Sequence, residues 1–191
     1  MVINLINKAT TLKNDNQGYG QVAKVFHWAS VFFIIPAMVI GIWWIWVDLD
    51  TDSGWEQFEQ LIGWHANFGL TVIILMLPRL VWRALNSPTA SADSTVHLKK
   101  VAFAAHFSLY ALALITPISG WLGSALDGVA FSYFSVITIP PIFGTYPDLA
   151  VMMTSVHIYA SYALIFFIAL HLAAVIYHQF WLKDRILRRM T

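Results

Sequence analysis

Histidine is the residue type in this chain whose placement could do chemistry. Seven histidines occur, and there is no cysteine. Disulfides, iron–sulfur clusters, thiolate zinc sites and covalent c-type haem attachment are therefore excluded, which leaves imidazole as the soft-metal ligand. Three of the seven, His157, His171 and His178, interrupt a run from Leu149 to Leu182 that holds no Asp, Glu, Lys or Arg. His157 and His171 are 14 residues apart. That is just under four helical turns, so both leave nearly the same face, separated by about 21 Å of rise. His178 follows seven residues later near that face. Ionisable groups at membrane depth are costly and mark function.

The elements that must position them are membrane helices. The chain is 59% hydrophobic and 11% charged over 191 residues. A soluble domain is about 25% charged, so the composition indicates an all-α integral membrane protein rather than a nucleic-acid binder. About 20 apolar residues span a bilayer. Four spans are expected, at about 25–47, 58–82, 101–126 and 150–182, in a single membrane domain of 1–191. Residues 1–21 form a short polar tail, and the run after it lacks a small-residue cleavage site, as an uncleaved anchor would. Pro36 should kink the first span without ending it. The stretch Gly128 to Pro147 is too broken by proline to span and reads as an aromatic interfacial loop capping a site.

All 11 Lys and Arg lie in the N-terminal segment, in the connection between spans two and three with its flanks, or at the C-terminus. Four spans then put both termini in the cytoplasm, by the positive-inside rule. The other two loops carry Asp48, Asp50, Asp52, Glu56, Glu59, Asp127 and Asp148, and no base.

Orientation gives each histidine a depth. His65 and His157 are both outer; His27 and His171 are both inner. His106 lies in the inner half of span three, and His97 reads as a solvated loop residue. Each matched pair comes from two helices and could grip one planar metal macrocycle from both sides. Two axial histidines leave no iron position open, which favours electron transfer over oxygen binding. Gly41 and Gly120 follow His27 and His106 by 14 residues, and Gly69 is one turn below His65, where small residues would leave room for a flat ring. Arg79, 14 residues after His65, has two readings: a partner for haem propionates, or a side chain snorkelling to lipid headgroups.

The stretches Phe26-His27-Trp28, Trp64-His65-Ala66-Asn67-Phe68-Gly69 with Pro78-Arg79-Leu80, His106 with Tyr110, Pro117 and Gly120-Trp121, and His157 through His171 and His178 to Leu187-Arg188-Arg189-Met190 together resemble the bacterial cytochrome b561 proteins. The resemblance covers nearly all of 18–190. It implies a four-helix bundle with two b haems, one on His27 with His171 and one on His65 with His157. It is also similar to the quinone-linked branch that includes superoxide oxidases, which implies ubiquinone as substrate and makes His106 and His178 candidates for a quinone or haem-propionate environment. The acidic outer loops would repel superoxide and suit a cationic redox protein. Two other functions share the histidine pattern: a haem-bearing anchor subunit of a dehydrogenase or hydrogenase, and a proton-coupled transporter using the histidines as a relay.

Overall fold

The computed structural model describes residues 12–14, 18–86, 96–184 and 186–190, with the side chains of 96–98 left aside. Most of the tail over 1–21, all of the loop over 86–95 except Asn86, and the side chain of His97 fall outside these residues. Four long helices dominate: α1 (Gln21–Trp43), α2 (Asp52–Leu85), α3 (Val96–Leu126) and α4 (Pro147–Tyr177). Each is long and apolar enough to cross a membrane.

Why the helices start and stop where they do is local chemistry. Prolines 36, 78 and 117 sit inside α1, α2 and α3 without ending them. Neighbouring groups re-satisfy the freed backbone in membrane helices. A 3-10 turn, Trp44–Trp46, closes α1. Thr51 caps α2: its Oγ1 accepts from Gly54 N at 3.0 Å. That cap starts α2 at Asp52, so Asp52, Glu56 and Glu59 ride on the helix rather than in a loop before it. At the far end of α3, Val129 N donates to Ser124 O and Gly128 N to Ala125 O. Gly128 has φ +81°, the Schellman arrangement that favours glycine. Replacing Gly128 by alanine should cost about 1 kcal/mol of thermal stability in detergent, and an unchanged melting temperature would contradict this reading. Pro147 opens α4 at the position where a missing N–H costs nothing.

Between α3 and α4 lies a short hairpin, β1 (Phe131–Tyr133) and β2 (Ile137–Ile139), paired antiparallel with Phe131 opposite Ile139. Its turn places Phe134 (φ 46°) and Ser135 (φ 58°) in the left-handed region without a glycine. The tip is held from α2. Phe134 N donates to Asn67 Oδ1 at 2.6 Å, Tyr133 and Thr71 hydroxyls are 3.0 Å apart, and Phe134 packs on Trp64. Asn67 and Thr71 are both buried.

By packing, the chain forms two compact units. Unit 1 takes Met1–Ser30, Leu75–Ala111 and Phe166–Thr191; unit 2 takes Val31–Ile74 and Leu112–Ile165. The core of unit 2 is small: Val72, Ala113, Ala125, Ala150, Ala160 and Leu164, with Asn67, Thr71, Thr116 and Ser119 also buried. Hydroxyls there bond back to their own helix, as in Ser119 to Ile115 O. Large apolar side chains such as Phe32, Phe103 and Phe166 are exposed. Small residues inside and large apolar ones outside are what helices surrounded by lipid tails require. In unit 1, Ser30 and Met76 are fully buried. Its chain ends are tied together: Asn14 Nδ2 donates to Asn86 O, Tyr19 N to Arg189 O, and Trp28 Nε1 to Met190 O at 2.8 Å.

Candidate functional site

Unit 2 contains His65 on α2 and His157 on α4. Their ring centroids are 5.8 Å apart and their planes nearly perpendicular. Each ring is fixed through Nδ1 to a backbone carbonyl on a third helix. His65 donates to Ala37 O of α1 at 2.9 Å, and His157 donates to Thr116 O of α3 at 2.8 Å. The same device serves both. Each carbonyl has a glycine four residues later, Gly41 or Gly120, and a proline next to it, Pro36 or Pro117. A Cβ built on Gly41 would stand 2.8 Å from His65 Cε1; one on Gly120 would stand 2.8 Å from His157 Nδ1. The glycines are therefore the seats of the imidazole rings. This refines the sequence expectation, which reserved that space for a macrocycle. Gly69 lies near no such ring: a Cβ there meets Pro117 at 3.7 Å, an ordinary contact.

A histidine that donates from Nδ1 presents a bare Nε2, the form in which it ligates a metal. Two imidazoles sharing one iron, each at roughly 2 Å from it, hold their centroids roughly 6 Å apart. The unit 2 pair fits that requirement. Thr116 Oγ1 is buried without a hydrogen-bond partner, beside the carbonyl that seats His157. A buried hydroxyl with no partner marks room for a group that supplies one.

Unit 1 gathers four of the remaining candidates. Arg79 Nη2 donates to His27 Nδ1 at 2.9 Å. His106 donates from Nδ1 to Ala102 O, one turn back on α3, and its ring lies 5.9 Å from that of His171 on α4. His27 is within electrostatic range of both His106 and His171. Of these three imidazoles, His106 and His171 are in ring contact. While Arg79 donates to Nδ1 of His27, the ring's proton belongs on Nε2, and Nε2 becomes available to a metal only when Arg79 turns away. Arg79 also lies against Tyr110, with Cζ 4.9 Å from the ring centroid, and Arg83 lies against the same ring at 5.1 Å. Tyr110 and Arg83 were missed as site residues, although Tyr110 occurs in the stretches that define the sequence pattern.

His178 is placed differently. A π-helical turn, His178–Leu182, ends α4 and leaves Lys183 in a left-handed conformation (φ 54°). That reversal brings Asp184 back, so its Oδ2 accepts from His178 Nδ1. Among the described contacts His178 meets Asp184 and Tyr177 rather than the other histidines.

Among the described residues no three His, Asp or Glu side chains converge as the ligands of a bare ion would. Facing imidazoles suit an iron whose other four ligands come from a macrocycle. Four membrane-length helices, facing imidazoles with a bare Nε2 and no cysteine define a class, the membrane b-type cytochromes of electron transfer. Within it, the chain belongs to the prokaryotic cytochrome b561 family, whose family model matches residues 18–191. It is 26% identical over 178 residues to cytochrome b561 homolog 2 of Escherichia coli (strain K12), covering 93% of each chain. It is 24% identical over 168 residues to cytochrome b561 homolog 1 of the same organism, covering 86% of this chain and 91% of that one. The family binds b-type haem, and its members are membrane proteins.

Proposed function

We propose that this chain is a dihaem electron carrier that exchanges electrons with membrane quinone. One haem would be held by His65 and His157, the other by His27 and His171. The observation that carries this reading is the unit 2 pair: facing imidazoles, each locked by a carbonyl through Nδ1 and each presenting Nε2. Haem iron with both axial positions filled supplies one-electron exchange without an open site for oxygen. The chain's part is to orient the two rings, fix their tautomers and keep lipid and water away from them.

Both termini would face the cytoplasm of the bacterial inner membrane. Support comes from charge: unit 2 carries seven carboxylates and no Lys or Arg, whereas the bases all fall in unit 1. The acidic surface would receive a cationic redox protein; an anion such as superoxide would be repelled by it, which weakens the superoxide:ubiquinone reading. Ubiquinone would meet unit 1, where His106 lies on His171 and where His178, oriented by Asp184, keeps a bare Nε2 that could accept from a quinol hydroxyl.

A reduced-minus-oxidised visible spectrum of the purified protein, with haem counted per chain, tests the proposal. Two low-spin b haems are expected, and both should be reducible by quinol. One haem or none would overturn the dihaem reading. If a basic soluble cytochrome is the donor, its rate of electron exchange should fall steeply with salt, because exposed charges are screened beyond about 10 Å at 0.1 M. A salt-independent rate would remove the acidic face from the mechanism.

A further inference from the structure

The last turn of α3 and the first turns of α4 leave a cleft of about 300 Å³ between them, wholly within unit 2. Gly123 opens its floor: a Cβ there would stand 3.0 Å from Thr154 Oγ1 and 3.5 Å from Ala150 O. Asp127, Thr154 and Ser155 supply a polar wall, and Val129 and Val151 an apolar one. The hydrogens of that polar wall are already engaged. Thr154 Oγ1 donates to Ala150 O and Ser155 Oγ to Val151 O, each at 2.9 Å. At the rim, Asp127 N donates to Gly123 O, Val129 N to Ser124 O and Ala150 N to Tyr146 O. The two hydroxyls therefore have only lone pairs left to offer, and Asp127 adds a carboxylate. Ser124 also lines the cleft, and its hydroxyl can turn to accept as well. A lining that accepts calls for a ligand that donates.

We propose that this cleft receives a lysine side chain of a cationic redox protein and so marks where electrons enter unit 2. The inference rests on the proposed exchange with such a partner. An ammonium brings three donors and no acceptor, which complements the lining. The aliphatic stem behind it would lie along Val129 and Val151. The other ammonium available beside a membrane is that of a zwitterionic lipid headgroup, which carries a phosphate with it. Unit 2 has seven carboxylates and no Lys or Arg to meet a phosphate, so it favours a cation without an attached anion. The position matters for the reaction. Thr154 lies three residues before His157, about 4.5 Å of rise, and Gly123 three residues after the Gly120 that seats the His157 ring. A side chain anchored here holds its protein close to His157 rather than elsewhere on the acidic surface.

The test uses full-length protein in lipid nanodiscs, with soluble mitochondrial cytochrome c, a basic protein, as the probe. A carbodiimide joins a carboxylate to an ammonium in direct contact with it, and mass spectrometry of the joined peptides reads the contact whether or not haem is bound. Asp127 is expected to be the principal cross-linked carboxylate of unit 2. Asp127→Asn should lower the second-order rate of electron exchange about tenfold at low salt, and Glu59→Gln, which removes an exposed charge outside the cleft, about twofold. Cross-links confined to other carboxylates, or equal rates in the two variants, overturn the cleft as the docking point. So does a phosphatidylethanolamine that native mass spectrometry finds on the wild type and not on Asp127→Asn while the rate is unmoved, which would give the cleft to a lipid ammonium. If Asp127→Asn does not accumulate, Ser155→Met decides, since it fills the cleft from an exposed position and keeps the carboxylate. A weakened Asp127 cross-link then supports the proposal, and an undiminished one overturns it. Failure of the haem reading looks different, as a protein that cross-links through Asp127 yet holds no haem.

Discussion

Replacing His157 by alanine is expected to remove one of two haems, leaving about half the pigment per chain and a single redox wave. The size of the effect follows from the geometry. The iron would lose one of its two protein ligands, and the vacated space lies within a helix pair where no other histidine ring contacts His65 among the described residues. Loss of a metal site is among the few single changes that exceed ordinary mutational effects. His65→Ala should give the same spectrum, because both residues would serve one iron. The pyridine haemochrome assay against protein concentration measures this directly. Retention of two haems in His157→Ala would exclude the unit 2 pair as ligands. Unit 1 makes a contrasting expectation: with His106 already 5.9 Å from His171, His27→Ala could keep a haem with altered spectrum, a substitution of one imidazole by another that unit 2 has no means to make.

Gly41→Ala and Gly120→Ala should be almost as damaging, although neither touches a proposed ligand atom by chemistry. The added methyl would meet a histidine ring at 2.8 Å, and that ring is pinned by its hydrogen bond to the carbonyl one turn earlier. The ring must swing out or the helices must part. Overpacking of this kind costs about 1–3 kcal/mol, and here the displaced group is the one that would point at the proposed iron. The expected result is a lowered melting temperature together with a broadened or diminished spectrum of one haem. Gly63→Ala provides the control, since a Cβ there meets nothing within 4 Å. Removing a helix-interior glycine should be neutral or stabilise by about 0.5–1 kcal/mol. If Gly41→Ala and Gly63→Ala behaved alike, the seating role of Gly41 would be wrong.

Helix periodicity and charge bias carried the sequence reading a long way. Uncharged runs located four helices, and depth alone placed His65 at the level of His157, whose rings the structure puts 5.8 Å apart. Periodicity fixes the face and height of a side chain on its own helix, but not which neighbour that face meets. That is why the approach of His106 to His171 could not be read, and why Gly41 and Gly120 were associated with a macrocycle rather than with the rings they seat. The start of α2 was hidden for a different reason: three acids and a glycine look like a loop until the Thr51 cap is seen. The partner of His178 depended on a left-handed Lys183, a conformation that no lysine advertises.

The hairpin was legible only as a broken aromatic stretch. Tight hairpin turns of this hand usually announce themselves with Asn-Gly or Asp-Gly. Here Phe134 and Ser135 adopt the turn because Asn67 accepts the Phe134 N–H and Thr71 meets Tyr133.

That docking has a consequence for the rate of electron exchange. Thr71 lies six residues beyond His65, so the hairpin tip reaches about 9 Å further along α2 than His65 does. It occupies hydrogen-bonding groups that water would otherwise claim. An electron arriving at a hydrated site must wait for solvent dipoles to rearrange, whereas dipoles fixed in a dry interior need little rearrangement. If unit 2 holds the proposed haem, the docked hairpin would lower the reorganisation energy there. A chain with the hairpin undocked would keep its ligands and its spectrum and still exchange electrons more slowly.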